Sequence, residues 1–193
     1  MKNVFRLFLL VLLLVSVGAK AADELEVKVT AKRTITIELD NLTTGAVLLF
    51  QGKNGEILFR DSLQSQGHYK RTFDLEVIPN GIYLVSLERE NSVLTREVVK
   101  SNEGVELNGN PSQIIFKPYF KVIEREVQIF LTNPGKKPAY FDVYDKQGNR
   151  VTSVTNRGKM IQKRLDFSQV PAGEYTIKVR VGERTFTKNV NLG

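Results

Sequence analysis

The residue types that most often perform catalysis or bind metals are scarce in this sequence. His68 is the single histidine among 193 residues, and there is no cysteine. Nucleophile–histidine pairs and cysteine–histidine metal sites therefore cannot be built without His68. This histidine follows Gly67 and precedes Tyr69, in a segment that we expect to be an exposed turn before a strand. The sequence predicts no enzymatic activity, no metal site and no cofactor.

Acidic residues are more numerous, but they show no arrangement that catalysis requires. A glycosidase needs two carboxyl groups that face each other across a cleft, whereas Asp142 and Asp145 flank a predicted hairpin. Asp74 and Asp166 each precede a predicted turn, where aspartate commonly caps backbone amides. A calcium loop needs oxygen donors at alternating positions around a glycine. Residues 145–149 include a lysine and are typical of a hairpin turn.

Three aromatic residues are candidates for binding instead of catalysis. Phe130 interrupts the polar side of an alternating segment, and Tyr119 and Phe120 follow Lys117-Pro118. Sugar-binding sandwiches use exposed flat aromatic rings, but this chain has no tryptophan. Exposed apolar groups more commonly mark an inter-domain or protein–protein contact. We therefore interpret Tyr119, Phe120 and Phe130 as a possible protein contact.

The N-terminus has the layout of a secretory signal peptide. Lys2 and Arg6 are basic, residues 7–17 are dominated by leucine and valine, and Ala19 and Ala21 follow. The apolar run is shorter than the roughly 20 residues that cross a bilayer as a helix. We expect cleavage after Ala21, export to the periplasm, cell surface or medium, and a mature protein that is not an integral membrane protein. An uncleaved N-terminal anchor is the alternative.

The charge of the predicted mature chain is small and evenly spread. The whole chain has a formal net charge of +7, and loss of the three basic residues in the signal segment lowers it to +4. No run of lysine and arginine forms a stripe that could follow a phosphate backbone. We therefore expect no nucleic-acid partner.

The chain contains an internal repeat. Residues 78–83 (Ile-Pro-Asn-Gly-Ile-Tyr) reappear 92 positions later as residues 170–175 (Val-Pro-Ala-Gly-Glu-Tyr). Upstream, residues 71–75 match residues 163–167 at the same offset. A correspondence that extends in both directions indicates a duplicated domain.

Each copy of the repeat predicts an all-β domain. Thr34–Leu39 and residues 127–129 alternate polar and apolar residues, so one face of each strand contacts a core. Turn formers such as Asn54-Gly55 separate the alternating segments. We predict two tandem Greek-key β-sandwiches of the immunoglobulin or fibronectin type, with about seven strands each. Strands are expected near residues 24–31, 33–40, 46–51, 56–60, 69–76, 81–88 and 92–99, then 112–118, 125–132, 138–144, 149–154, 159–166, 173–180 and 184–191.

The repeat also divides the chain into domains. We assign residues 1–21 to the signal peptide, 22–101 to copy one, 102–111 to a linker and 112–193 to copy two. The linker is polar, rich in glycine and asparagine, and ends at a proline. Val105 and Leu107 within it are apolar, which indicates packing between domains or completion of a strand, and hence a semi-rigid junction.

The residues around the repeated turn resemble a known family. Copy one has Asp74-Leu75, then the segment 78–87, and closes with Arg96–Lys100; copy two has the hairpin 142–149 and the turn residues Asp166, Pro171, Gly173 and Tyr175. These motifs resemble the C-terminal sorting domain of cargo of the type IX (Por) secretion system of Bacteroidota. The resemblance implies a small β-sandwich with a Pro-x-Gly-x-Tyr turn into a strand, and the secretion machinery as a partner.

The repeated Pro-x-Gly-x-Tyr motif has a structural explanation of its own. Proline fixes φ, glycine takes a positive φ in the turn, and tyrosine enters the next strand with its ring on the core and its hydroxyl near water. We predict this structural role, with recognition by a receptor as the alternative. The residues concerned are Pro79, Gly81, Tyr83, Pro171, Gly173 and Tyr175.

Two functions are compatible with these observations. The first is an exported, non-catalytic interaction or structural module of the bacterial cell envelope, with another envelope protein as partner. The alternative is a type IX secretion cargo or sorting-domain protein whose C-terminal sandwich directs secretion. The alternative predicts cleavage within residues 102–111, whereas the first function predicts that the C-terminal sandwich is retained.

Overall fold

The computed structural model describes residues 25–40, 42, 44–64 and 67–193. The predicted signal peptide lies outside these residues and stays a prediction. The described residues form β-strands connected by turns, and none of them forms a helix able to cross a membrane. The strands of copy one are β1 (Glu26–Ala31), β2 (Thr34–Leu39), β3 (Ala46–Gly52), β4 (Ile57–Leu63), β5 (Tyr69–Asp74), β6 (Gly81–Glu88) and β7 (Ser92–Lys100). They are followed by β8 (Val105–Phe116), β9 (Tyr119–Ile123), β10 (Glu126–Thr132), β11 (Ala139–Asp145), β12 (Arg150–Asn156), β13 (Met160–Asp166), β14 (Gly173–Val181) and β15 (Arg184–Leu192).

The strands assemble into four antiparallel sheets, two in each copy. Sheet 1 has the strand order β1-β2-β5, and sheet 2 has the order β4-β3-β6-β7-β8. Copy two repeats this plan with sheet 3, of order β13-β10-β9, and sheet 4, of order β12-β11-β14-β15. In copy one, β2 pairs with β5 and β3 pairs with β6, so the chain crosses between the sheets as in a Greek key. The predicted all-β, tandem-sandwich fold is confirmed.

Each copy has its own hydrophobic core between its two sheets. Ile35 and Ile37 of β2 are completely buried and pack with Leu48 of β3, so the period-two alternation places one face of sheet 1 against sheet 2. In copy two, Ile129 and Phe141 occupy the corresponding core. Each such side chain contributes roughly 1.5–3 kcal/mol of burial free energy, which allows each sandwich to form without disulfides.

The predicted linker differs from the structure. Residues 102–111 overlap β8, which pairs with β7 from Lys100↔Val105 to Ser92↔Phe116, with one register shift. Val105 is buried in the core of copy one, and Leu107 packs against the same core. Strand β8 is therefore an integral part of sheet 2, because its alternate residues continue the apolar face of that sheet.

The predicted first strand of copy two, at residues 112–118, is wrong. Those residues contain the end of β8, and the strand that pairs with β10 in the way that β1 pairs with β2 is β9. The repeat offset of 92 positions already placed the counterpart of Ala31 at Ile123, the last residue of β9. The strand was predicted too early in the sequence because Ile114, Ile115 and Phe116 are apolar.

Candidate functional site

Two exposed aromatic rings lie side by side on copy two. Tyr119 of β9 and Phe130 of β10 are direct cross-strand partners, and their ring centroids are 6.2 Å apart with an interplanar angle of 41°. Tyr119 is 65% exposed and Phe130 is 36% exposed. Because Ile129 and Leu131 point into the core, period-two alternation puts Phe130, and with it Tyr119, on the outer face of sheet 3.

On the β13 side, this ring pair is flanked by uncharged residues and by Arg164, which forms an ion pair with Glu126. The partner of Phe130 on β13 is Gln162, and Met160 lies two residues away on the same face with 85% of its surface exposed. Residues in this diagonal relation lie within reach of long side chains. We call Tyr119, Phe130 and Met160 the aromatic face.

The matching surface of copy one is charged. Glu38 occupies the place of Phe130, since each is 92 positions from the other and their β5 and β13 partners, Lys70 and Gln162, are separated by the same offset. The Glu38 carboxylate lies 2.6 Å from Nζ of Lys28 and 2.7 Å from Nζ of Lys70. These bonds, first that from Lys28, lower the pKa of Glu38 to about 2, and the bond to Glu38 raises the pKa of Lys28 to about 12.

The contrast between the copies shows that the fold does not require apolar side chains on this face. The same backbone carries an ion-paired cluster in copy one and a pair of aromatic rings in copy two. Clustered exposed apolar groups are suited to contact with another protein. The aromatic face is therefore the best candidate for a binding surface on the described residues.

Phe120, the third aromatic residue of the predicted contact, lies elsewhere. It is the cross-strand partner of Ile129 and packs, partly buried, against the core of copy two. Because it neighbours Tyr119 in a strand, it points to the opposite side. The structure brings Tyr119 and Phe130 together and excludes Phe120 from their face.

The tyrosines of the repeated turn form the same hydrogen bond in both copies. The hydroxyl of Tyr83 donates to the carbonyl oxygen of Pro79 at 2.6 Å, and that of Tyr175 donates to the carbonyl oxygen of Pro171 at 2.7 Å. Each ring is 6% exposed, and burial raises the pKa of Tyr83. The ring positions agree with the prediction. The hydroxyls stabilise the turn by donating to a backbone carbonyl oxygen, and their predicted position near water stays a prediction.

The glycines of the two turns differ. Gly173 has a φ of +152°, as predicted, whereas Gly81 has no positive φ, so the prediction is wrong for copy one. A Cβ at Gly81 would lie 3.9 Å from Cε2 of Tyr83, which is ordinary contact. Only the turn of copy two therefore depends on the conformational freedom of glycine.

Comparison with known families identifies the repeated module. A family described as "Secretion system C-terminal sorting domain" matches residues 21–101 and 123–192, one segment for each copy. The chain belongs to this sorting-domain family. The predicted resemblance is thus confirmed, and membership implies export to the cell surface or extracellular space and interaction with secretion machinery.

Solved structures resemble the chain only distantly. A biofilm-associated protein BSP domain has 11% identity and a TM-score of 0.31, with 88% of this chain and 29% of that chain covered. The β-glucuronidase of Faecalibacterium prausnitzii has 12% identity and a TM-score of 0.31, with 82% and 37% covered. The human OSCAR ligand-binding domain has 10% identity and a TM-score of 0.25, with 87% and 96% covered. The chain spans about a third of the length of the first two of these proteins. No curated protein matches the chain.

The two family matches leave out the segment between the copies. Residues 102–122 contain all of β8 and most of β9, including Tyr119. Compared with copy two, copy one has one more strand, β8, at the outer edge of β7. The aromatic face combines Tyr119 from this segment with Phe130 from the matched part of copy two.

The histidine and aspartate that the sequence analysis considered for catalysis or metal binding, His68 and Asp145, have ordinary structural partners. His68 lies at the surface with Nδ1 2.7 Å from Oδ1 of Asp40. Asp145 accepts backbone hydrogen bonds from Gln147 and Asn149 at 3.0 and 2.8 Å, and its pKa is lowered, first by the Asn149 side chain. Among the described residues, no group of three or more histidine, aspartate or glutamate side chains could hold a metal ion.

The contact that Arg184 makes between the copies was not predicted from the sequence. Nη2 of Arg184, at the start of β15, donates to Oγ of Ser86 at 2.9 Å and to Oγ1 of Thr95 at 3.3 Å. Nη1 of the same side chain lies 3.4 Å from the Glu88 carboxylate. A cleft of about 250 Å³ runs beside this contact, between sheet 2 and the turn before β15. A single arginine without a motif gave no sequence signal for this junction.

Proposed function

We propose that this protein is a non-catalytic cargo of a type IX secretion system, and that a protein of the secretion apparatus binds its second sandwich at the aromatic face. The observation that carries the proposal is the contrast between the copies. Copy one has the pair Glu38 and Lys70 where copy two has Phe130 and Gln162. The two copies share one fold, but this outer face is ion-paired in copy one and carries exposed rings in copy two, which supports a separate binding role for the face of copy two.

The geometry of the aromatic face favours a protein partner over a carbohydrate. The two rings are inclined by 41°, so they do not form one flat platform for a sugar ring. Met160 beside them is a flexible apolar side chain that adapts to an irregular protein surface. Lys121, on β9 opposite Gln128, adds a polar rim of the kind found around the apolar centre of protein interfaces.

The two copies provide a matched experiment. The double substitution Phe130→Glu with Gln162→Lys gives copy two the charged arrangement of copy one, and Lys121 already stands where copy one has Lys28. We expect this variant to fold and to accumulate in the periplasm of its native host, because the binding face is lost. The reciprocal control, Glu38→Phe with Lys70→Gln, changes only copy one and should be exported as the wild type is.

Immunoblots of periplasmic, surface and extracellular fractions measure the outcome. Circular dichroism and thermal unfolding of the purified variants establish that both fold. Normal export of the Phe130→Glu, Gln162→Lys variant would contradict the proposal. Equal loss of export in the control would show that any change to an outer face disturbs secretion, and it would also count against a specific role for copy two.

The second candidate function is an envelope interaction module in which both copies are retained. It is supported by the position of β8, because cleavage anywhere in residues 105–111 would break a strand that is paired with β7. Intact mass spectrometry of the protein from each cell fraction separates the candidates. A chain that begins near Ala22 and keeps its C-terminus supports the module, whereas a chain that lacks copy two supports a cleaved sorting signal.

A further inference from the structure

The outer edge of the last strand differs between the two copies. In copy one, β7 has a neighbour on each side, β6 and β8. In copy two, the corresponding strand β15 pairs with β14 alone and ends its sheet within the described residues. The register is the same in both, because Tyr83↔Val98 and Tyr175↔Val190 are equivalent pairs. Copy one therefore shows directly what this edge can bind, namely an antiparallel strand.

The pairing pattern shows which backbone groups of β15 face the open edge. The amide of Arg89 donates to the carbonyl oxygen of Ser92, so the backbone groups of Ser92 point toward β6. The backbone N–H and C=O groups of successive residues point to opposite sides of a strand. Those of Glu97 and Val99 therefore point toward β8. Their equivalents, Asn189 and Asn191, turn their N–H and C=O groups away from β14. Thr185 and Thr187 do the same. At these four alternate residues of β15, the backbone N–H and C=O groups are unpaired with any described strand.

The side chains of β15 complement a strand with the chemistry of β8. The segment Arg184–Leu192 has two basic residues and no acidic residue, whereas β8 has one acidic residue, Glu106, and no basic residue. Arg96 of β7 donates a hydrogen bond to the carbonyl oxygen of Gly109 in β8. Lys188 stands at the equivalent place of β15 and is exposed.

The core of copy two is less completely covered at this edge. Phe186 is half-buried, whereas its equivalent in copy one, Leu94, is 6% exposed beneath the paired strand β8. An incoming strand with apolar residues opposite Val190 and Leu192 would repeat the packing that Leu107 and Val105 give to copy one. Such a strand would cover apolar surface of copy two and would also pair with the open backbone groups of β15.

We infer that the outer edge of β15 is a docking site for an extended, acidic or uncharged β-strand of a partner protein, which adds to sheet 4 antiparallel to β15. A second copy of this chain is a poorer occupant. Antiparallel pairing of two β15 strands about their centre would bring Lys188 of one chain beside Lys188 of the other, and like charges in this relation destabilise a sheet. The inference concerns a surface separate from the aromatic face and does not depend on it.

A peptide with the sequence of residues 105–116 is the probe, because it is the whole of β8, the strand that occupies this edge in copy one, and it includes Gln113, the partner of the Thr187 equivalent Thr95. It is added in trans to the full mature chain labelled with ¹⁵N, and amide chemical shifts and hydrogen exchange are followed by NMR. We expect saturable shifts and slowed exchange at Thr187, Asn189 and Asn191. Thr187→Pro removes one outward amide and should weaken binding about fivefold to tenfold, since proline is tolerated where an edge N–H faces solvent.

Two controls make the result specific. Thr187→Val keeps the backbone N–H and should bind the peptide as the wild type does, and thermal unfolding shows that both variants fold. A peptide in which glutamate 106 is replaced by lysine should bind more weakly, because it brings a positive charge to a strand that has two basic residues and no acidic residue. Absence of saturable shifts on β15, or equal binding to Thr187→Pro and wild type, would overturn the inference. Concentration-dependent dimerisation through β15 would also overturn it, since the occupant would then be a second copy.

Discussion

At the scale of single residues, equivalent positions in the two copies have different roles on the same backbone fold. Glu38 is held between two lysines, while its counterpart Phe130 forms a ring pair with Tyr119. The turn tyrosines, in contrast, make the same hydrogen bond to a proline carbonyl in both copies. The buried parts of the repeat have thus kept their chemistry, and the exposed parts have changed it.

The turn glycines permit a paired test of backbone conformation. Gly173→Ala should lower the free energy of unfolding by about 1–3 kcal/mol, because φ of +152° lies in a region that is almost closed to residues with a Cβ. Gly81→Ala, at the equivalent position without a positive φ, should change stability by no more than about 1 kcal/mol. Urea unfolding of the two variants measures both effects. Equal destabilisation would mean that the turns share one conformation.

The charged cluster of copy one predicts a dependence of stability on acid. The pKa of Glu38 is lowered from 4.5 to about 2 in the folded protein, so its ion pairs stabilise the fold above pH 4.5 and this contribution disappears as the pH falls toward 2. The difference in unfolding midpoint between wild type and Glu38→Gln should therefore be largest near neutral pH and shrink through that window. A difference that stays constant from pH 6 to pH 2 would show that Glu38 acts through packing instead of charge.

At the scale of elements, strand alternation predicted most strands, but it missed β8 and β9. Strand β8 shows why. Its residues Asn108-Gly109-Asn110-Pro111 are typical of a turn, and the repeat contains no second example that would identify it as a strand. Pairing with the edge of β7 outweighs this local preference for a turn, because the edge strand would otherwise present a row of unpaired backbone N–H and C=O groups. The aromatic face was foreseen in part. Phe130 was recognised by its place in an alternating strand, but its pairing with Tyr119 depends on a cross-strand register that one sequence does not reveal.

The role of β8 predicts where copy one ends as a folding unit. A fragment of residues 22–116 should unfold cooperatively in urea, and a fragment of residues 22–101 should be less stable by roughly 2 kcal/mol or more. The shorter fragment lacks the buried Val105 and exposes the edge of β7. A variant of the longer fragment with Val105→Ala isolates the packing contribution from the hydrogen bonds. Equal stability of the two fragments would restore the assignment of residues 102–111 to a linker.

At the scale of the whole molecule, the two copies are joined by more than their covalent connection. Ile115 belongs to β8 of sheet 2 yet packs against the core of copy two. Arg184 approaches from the other side and binds Ser86 and Glu88 of copy one. A junction fixed at two places restrains the relative orientation of the sandwiches, in contrast to domains on a flexible linker.

Arg184 is the residue to test for this restraint. Arg184→Ala should broaden the distribution of distances between spin labels placed on the two sandwiches, measured by pulsed electron paramagnetic resonance, while the unfolding midpoint changes by only a few degrees. Arg180→Ala is the control, because that guanidinium lies over the Tyr140 ring within copy two, 4.3 Å from its centroid. An unchanged distance distribution in the Arg184 variant would assign the restraint to β8 alone.

The position of β8 also affects the order in which the two sandwiches can fold when the N-terminus of the chain appears first. Sheet 2 cannot be completed until residue 116 is free, because its last pair joins Ser92 to Phe116. Once that strand docks, Ile115 is presented at the place where the core of copy two will form. The first sandwich thus finishes folding in the same step that provides a starting surface for the second. We therefore expect the two halves of the protein to fold in sequence, with β8 completing the first sandwich before the core of the second forms.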